Sequence, residues 1–288
     1  LDNVIDANEY ATSEIEEMTK ATRKIGLGVM GFADLLIQLR TSYNSALARE
    51  IGDKVMSSIK EWADDESLML GAMRSPFPAW ERSSYDKETE AYRNNCRLTV
   101  APTGTISMLA DCSSGIEPSF ALVWKKQNIL DGKTLNYVNR YFEQDAKEHG
   151  FYSENLMDYL ADGGSLQDRD EVPQWAKNIY ITAPEILPKD HILMQAAFQQ
   201  HVDSGISKTI NFDNSATIQD VEDSYKLAWR TGCKGVTVYR AGSRDKEVLV
   251  KGTTVTSEES KCCEAPQIIM QDGCQSCKTC GWSACLVA

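Results

Sequence analysis

Short β-prone runs recur along this chain, and helix-prone or polar stretches separate each one from the next. The runs are Arg97-Leu98-Thr99-Val100, Ile179-Tyr180-Ile181, Ile206 to Phe212 and Val236-Thr237-Val238-Tyr239. Between them the apolar residues change to helical spacing. Ile51, Val55, Ile59 and Trp62 mark a strong helix over Leu47 to Met73. Further helices are predicted over Thr12 to about Lys24, Thr134 to Glu148 (ended by Gly150) and His191 to Val202. Thr217-Ile218-Gln219-Asp220 reads as a capping box opening a helix that stops at Gly232. Residues 74–95, with Pro76 and Pro78, read as a loop with a short helix. Asp131-Gly132 marks a turn, and the polar, Gly-rich residues 161–173 read as a surface connection. Strands alternating with helices predict an α/β fold.

The 288 residues suffice for one sizeable core plus a small appendage. A net charge of −12 repels DNA and anionic membranes, so no nucleic-acid or membrane partner is expected. A phosphate ligand would need a local site. No apolar run reaches the roughly 18 residues of a membrane helix. Leu1 opens the chain with no Met, basic segment or signal stretch, so the start reads as a cut or splice and the expected location is cytoplasmic.

One loop offers what an anion needs. Ala101-Pro102-Thr103-Gly104-Thr105-Ile106-Ser107 follows the run ending at Val100, and Ser113-Ser114-Gly115-Ile116-Glu117-Pro118 comes shortly after. Small residues let backbone N–H groups approach a ligand, Thr103, Thr105 and Ser107 bring hydroxyls, and no carboxylate competes. A helix starting near Thr105 would aim its unpaired N–H groups and positive dipole end at a phosphate. An ordinary Pro-Thr-Gly turn capping a helix has the same local chemistry.

Other motifs carry less. Gly26-Leu27-Gly28-Val29-Met30-Gly31 satisfies G-x-G-x-x-G, and Glu50 stands near the offset of a ribose-binding carboxylate. That fingerprint requires a buried strand directly upstream. Glu14 to Lys24 is charged and helix-prone, so close backbone packing is the expected role of these glycines. His149, His191 and His201 lack ligand spacing and read as surface or capping residues. Glu61, Asp64, Asp65 and Glu66 read as a solvated helix face.

Of nine cysteines, Cys96, Cys112 and Cys233 are scattered and read as inert fillers. The other six lie between Cys262 and Cys285, beyond a Thr- and Ser-rich stretch from Lys251 to Lys261 that reads as a linker. Cys274 and Cys277 with two further thiolates from Cys262, Cys263, Cys280 or Cys285 suit tetrahedral zinc. The adjacent Cys262-Cys263 departs from the spaced pair such a site usually has. Clustered thiols equally suit redox exchange.

Four segments, in order, resemble large chains of ribonucleotide reductases. They are Arg23 to Leu36; the loop Ala101 to Ser107 with Ser113 to Pro118; Gly205-Ile206-Ser207-Lys208-Thr209-Ile210-Asn211-Phe212; and Gly232 to Arg240. The ending Cys280-Gly281-Trp282-Ser283-Ala284-Cys285 resembles that family's terminal cysteine pair. The resemblance is to the adenosylcobalamin-dependent (class II) branch. The iron- or manganese-dependent branch carries two adjacent tyrosines that pass a radical from a partner subunit, and here Val238 stands in the first position before Tyr239. Valine has no oxidisable ring, and a cofactor that generates its radical in place removes the need for the relay.

The resemblance implies the second half of a ten-stranded α/β barrel over residues 1–244, a linker over 245–261 and a Cys-rich tail over 262–288. It implies that residues 101–107 hold the diphosphate of a ribonucleotide. It also implies that Cys280 and Cys285 form a redox pair reduced by a thioredoxin- or glutaredoxin-type protein. Zinc on Cys262, Cys263, Cys274 and Cys277 is compatible with that pair. The family's radical cysteine and catalytic carboxylate form a Cys-x-Glu loop inside the barrel. Cys262-Cys263-Glu264 matches the spacing only in the polar tail. The resemblance therefore places that loop in a missing N-terminal half, and the chain is not expected to be active alone. A class I fragment and a non-catalytic zinc-binding remnant are the competing expectations.

Overall fold

The computed structural model describes residues 1–85, 91–129 and 133–243, together with the backbone of three short strands within 268–285; for 125–129 and 133–136 it describes backbone only. The chain divides into two compact units, Leu1–Gly252 and Thr253–Ala288.

The first unit is built on parallel backbone pairing wrapped by helices. Helices α1 (Asp2–Ala7) and α2 (Ser13–Thr22) open it, and the Thr12 hydroxyl caps α2. The chain leaves α2 through Arg23 in the left-handed region, φ 45°. It then runs beside residues 96–99: the amides of Ile25 and Leu27 donate to the carbonyls of Cys96 and Arg97, and Thr99 N donates to Leu27 O. Val100 bridges Ile206 in parallel. Past that bridge, β3 (Thr209–Phe212) pairs in parallel with β4 (Thr237–Arg240), Ile210 facing Val238. Residues 25–28, 97–100, 204–212 and 237–240 thus form one series of parallel neighbours among the described residues. Helical connections between them follow from parallel pairing, which a tight turn cannot close.

Helix α3 (Phe32–Gln38) starts at Gly31, φ 82°, and the long α4 (Ala46–Arg74) is capped by Ser45. Helices α4 and α10 (Ile218–Arg230) both pack on α9 (Pro188–Gln199), which lies against β3. The core at this sheet gathers Phe32, Leu36, Tyr43, Met56, Leu98, Val100, Ile116, Phe198 and Ile206. A second core lies among α6 (Arg140–Glu148), α7 (Glu154–Ala161) and α8 (Gln174–Ile179), around Phe142, Leu156 and Tyr180. The Thr217–Asp220 capping box is present as expected, hydroxyl to backbone and carboxylate to backbone.

Several expectations fail, each through a tertiary contact. Ile179-Tyr180-Ile181 is no strand: α8 ends at Ile179, and Tyr180 turns inward to donate to Asp145 at 2.5 Å while its ring meets Phe142 edge-on. The helix expected over Thr134 to Glu148 begins only at Arg140. The residues before it form β2 (Lys133–Val138), antiparallel to β1 (Val123–Ile129), with Trp124 stacked on Tyr137. Pairing in a hairpin overrides the local helical preference there. The connection over 161–173 buries Leu166 and Val172. Asp64 is not simply solvated, because its carboxylate accepts from buried Arg97 at 2.5 Å.

In the second unit β5 (Ile268–Gln271), β6 (Cys274–Cys277) and β7 (Ser283–Cys285) make an antiparallel sheet in which Cys274 faces Cys285 in register. Cys274, Cys277 and Cys285 are described as backbone only. Cys262, Cys263 and Cys280 and the expected linker 245–261 lie outside the described residues.

Candidate functional site

The loop from Ala101 to Ser107 emerges from Val100, whose bridge to Ile206 fixes its root. Thr103 adopts φ 50°, and α5 (Gly104–Leu109) starts immediately after it. The first intrahelical donor is Ser107 N, bonded to Thr103 O at 2.9 Å. The N–H groups of Gly104, Thr105 and Ile106 therefore precede any intrahelical acceptor. All three residues are exposed, as are Ala101 and Pro102. A β-carbon added to Gly104 would meet nothing within 4 Å, so the approach to this backbone is open.

The three hydroxyls differ. Thr103 Oγ1 accepts from Gly115 N at 2.7 Å, and buried Ser107 shares a 2.9 Å bond with Ser114 Oγ. Both brace the loop from behind. Thr105 stays exposed.

The bracing loop is itself tied down. Gly115 has φ 48°, and a β-carbon there would stand 3.1 Å from Ala101 O, so glycine is favoured on both counts. Ser113 N donates to the buried Asp34 carboxylate at 2.6 Å, and Ser113 O accepts from Gly31 N at 2.7 Å. The G-x-G-x-x-G segment is thus spent on packing. A β-carbon on Gly26 would come within 2.6 Å of the Thr99 side chain.

Behind both loops lies a group the sequence did not announce. Glu117 Oε1 accepts from Thr209 N at 2.6 Å, and Oε2 accepts from Lys208 Nζ at 2.9 Å. Lys208, fully buried, also meets His191 Nδ1 at 2.8 Å and Thr209 O at 3.3 Å. His191 Nε2 lies 3.1 Å from Ala183 O. Since Lys208 can only donate, His191 carries its proton on Nε2 and donates it to that carbonyl. Burial, then the Lys208 charge, pushes the His191 pKa down to about 3, so the ring is neutral. Burial likewise lowers Lys208, with Glu117 pulling the other way. The expectation of a surface His191 is wrong: nothing in its spacing revealed a partner 17 residues away. A lysine inside the β-prone run Ile206 to Phe212 was the available signal.

Val238 packs into the cluster of Ile192, Ile210, Phe212 and Ala228 as aliphatic filling. Among the described residues no group of three or more His, Cys, Asp or Glu is placed to hold a metal, and no helix is long and apolar enough to cross a membrane.

The chain matches the family described as "Ribonucleotide reductase, barrel domain" over residues 1–92 and 88–239. It is 48% identical over 258 residues to the vitamin B12-dependent ribonucleoside-diphosphate reductase of Thermoplasma acidophilum, covering 90% of this chain and 33% of that protein. A protein of the same name from Mycobacterium tuberculosis is 41% identical over 250 residues, covering 86% of this chain and 36% of the relative. The chain thus spans about a third of the length of these relatives. The class Id ribonucleotide reductase alpha subunit of Actinobacillus ureae superposes with a TM-score of 0.72 at 21% identity, over 84% of this chain and 45% of that one. Together with the parallel, helix-wrapped sheet and its loop after Val100, these matches show that the chain belongs to the ribonucleotide reductase barrel-domain family, with an α/β fold of that type.

Proposed function

We propose that this chain is part of an adenosylcobalamin-dependent ribonucleotide reductase, in which it holds the diphosphate of a ribonucleoside diphosphate and carries the reducing thiols. The observation that carries this reading is the open backbone of residues 101–107, anchored at Val100 and braced by Gly115 and Ser114. An anion there receives N–H groups at the positive end of α5. The backbone of Pro102 to Ser107 is the contact surface, with Ala101 as its root.

In this reading residues 1–244 supply the second half of a ten-stranded barrel, 245–261 a linker and 262–288 the tail. A further N-terminal half completes the barrel with the radical cysteine and carboxylate. Exposed Ile106 in the loop, with exposed Met30, Met108 and Leu109 on adjoining segments, suits the flat faces of the substrate base and of a bulky cofactor such as adenosylcobalamin. When bound, that cofactor supplies a carbon-centred radical. This chain's residues orient the nucleotide and exclude water from one wall. Val238, half-buried against the core around Ile210, supports this branch over the metal-dependent one. Cys280 and Cys285 return electrons from a thioredoxin- or glutaredoxin-type protein in the cytoplasm. Cys262, Cys263, Cys274 and Cys277 are the zinc candidates.

Replacing Gly104 with Val tests the loop. The added side chain meets no protein atom within 4 Å at its β-carbon, so folding should survive while the anion is kept away. Each charge-assisted bond contributes about 1.5–3 kcal/mol. The dissociation constant of a ribonucleoside diphosphate for the complete reductase should rise at least about tenfold, or about 1.4 kcal/mol. An unchanged constant in the folded variant refutes the assignment.

A further inference from the structure

We propose that Glu117 and Lys208, braced by His191, are positioning residues that set the geometry of the phosphate loop from behind, through the contacts of Gly115 and Ser114 with Thr103 and Ser107. The proposal rests on the reading that residues 101–107 hold the diphosphate.

The network is closed. The three N–H donors of the Lys208 ammonium meet Glu117, His191 and the Thr209 carbonyl. Glu117 uses its second oxygen on Thr209 N, and His191 uses its second nitrogen on Ala183 O. Three segments far apart in sequence are thereby held at one point: the bracing loop, α9 and the entry to β3. Tyr43 closes the remaining side, its ring 5.7 Å from the ammonium and its hydroxyl on Ile116 O.

An ion pair whose lysine is fully buried is a poor source of stability, since apolar residues of similar volume often serve as well. What it offers here is direction. Glu117 N bonds Ser114 O in a turn, so fixing Glu117 fixes Ser114 and Gly115. Those two residues touch the phosphate loop at Thr103 and at Ser107, on either side of Gly104, Thr105 and Ile106. The N–H groups of these three exposed residues are thus bracketed by contacts that lead back to Lys208. Hydrogen bonds to an anion weaken steeply when misaligned, so a small shift of the bracket is felt at the ligand.

The complete reductase provides the test. Two kinds of variant break the path at different points: Glu117→Gln with Lys208→Met, which removes both charges of the pair together, and Thr103→Val at the loop itself. Thr103→Ser keeps the accepting hydroxyl. Calorimetry reads the dissociation constants of a ribonucleoside diphosphate and of the same ribonucleoside without phosphates. Losing the equivalent of one hydrogen bond, each path-breaking change should raise the diphosphate constant about fivefold. The bare nucleoside should stay within about twofold, and Thr103→Ser should bind like the parent. Combining all three changes should add little, because coupled sites are non-additive. Equal weakening of both ligands, or an unchanged diphosphate constant in the folded double variant while Gly104→Val raises it, overturns the positioning role and leaves the loop reading intact. If the double change prevents folding, the Thr103 pair decides alone, and Thr103→Val binding like Thr103→Ser overturns the proposal. Gly104→Val binding normally overturns the loop reading and this inference with it.

Discussion

Gly28 lies against Thr99 so closely that a β-carbon on the glycine would stand 2.2 Å from the threonine carbonyl oxygen and 3.3 Å from its carbon. The contact exists because the Gly26–Gly28 backbone pairs with residues 96–99 through Ile25, Leu27 and Thr99.

Gly28→Ala should therefore force these backbones apart. Overpacking of this kind costs about 1–3 kcal/mol. The midpoint of denaturant unfolding should fall while the slope stays constant. Gly104→Ala, in open space, is the control and should move it little. A Gly28→Ala protein as stable as the parent would show that the two backbones yield easily.

Two buried carboxylates give the fold an acid limit. Asp2 is pushed up by burial, but hydrogen bonds from Arg23, Asn94 and Arg93 outweigh this and hold its pKa below the ordinary 3.8. At Asp145 burial again raises the pKa, and bonds from Arg40 and Tyr180 bring it below 3.8. A group with a depressed folded pKa binds fewer protons folded than unfolded. Its stabilisation is full above 3.8 and is lost as pH falls from there through the folded value. Unfolding free energy of the chain should be level in pH above that range from these groups and fall below it. Asp145→Asn should reduce the dependence. An Asp145→Asn protein with an undiminished acid slope would remove this carboxylate from the account.

The proposed cofactor rests on Val238. With no ring at that position, activity of the complete protein should require adenosylcobalamin and no metallo-radical subunit. Assays supply each in turn. Full turnover with a di-metal partner and no cobalamin would place the protein in the other branch.

Cys280 and Cys285 are proposed to carry electrons to a disulfide left in the site by each reduction, by thiol–disulfide exchange. With both changed to Ser, the complete enzyme should perform about one turnover on pre-reduced thiols and then stop with a thioredoxin-type reductant. A small dithiol that diffuses into the site should restore multiple turnovers. Undiminished steady-state turnover with the protein reductant would make the tail cysteines a metal site instead.

Local signals in the sequence were enough for the frame. The i, i+4 spacing of Ile51, Val55 and Ile59 found α4 to within a residue at each end, and Thr217 with Asp220 found the start of α10. The order of a β-prone run, a small-residue loop and a helix located the loop at 101–107, because capping and chain reversal involve neighbours within one turn. Tertiary structure decided what lies behind that loop. Glu117 and Lys208 are 91 residues apart, and no periodicity links them. Tyr180 left its β-prone run for Asp145, 35 residues away, and Asp64 left a charged helix face for Arg97. In each case a buried charge or hydroxyl had to find a partner. Propensity acts over a few residues, whereas the cost of burying a polar group is settled only by whichever distant segment the fold brings within hydrogen-bond reach.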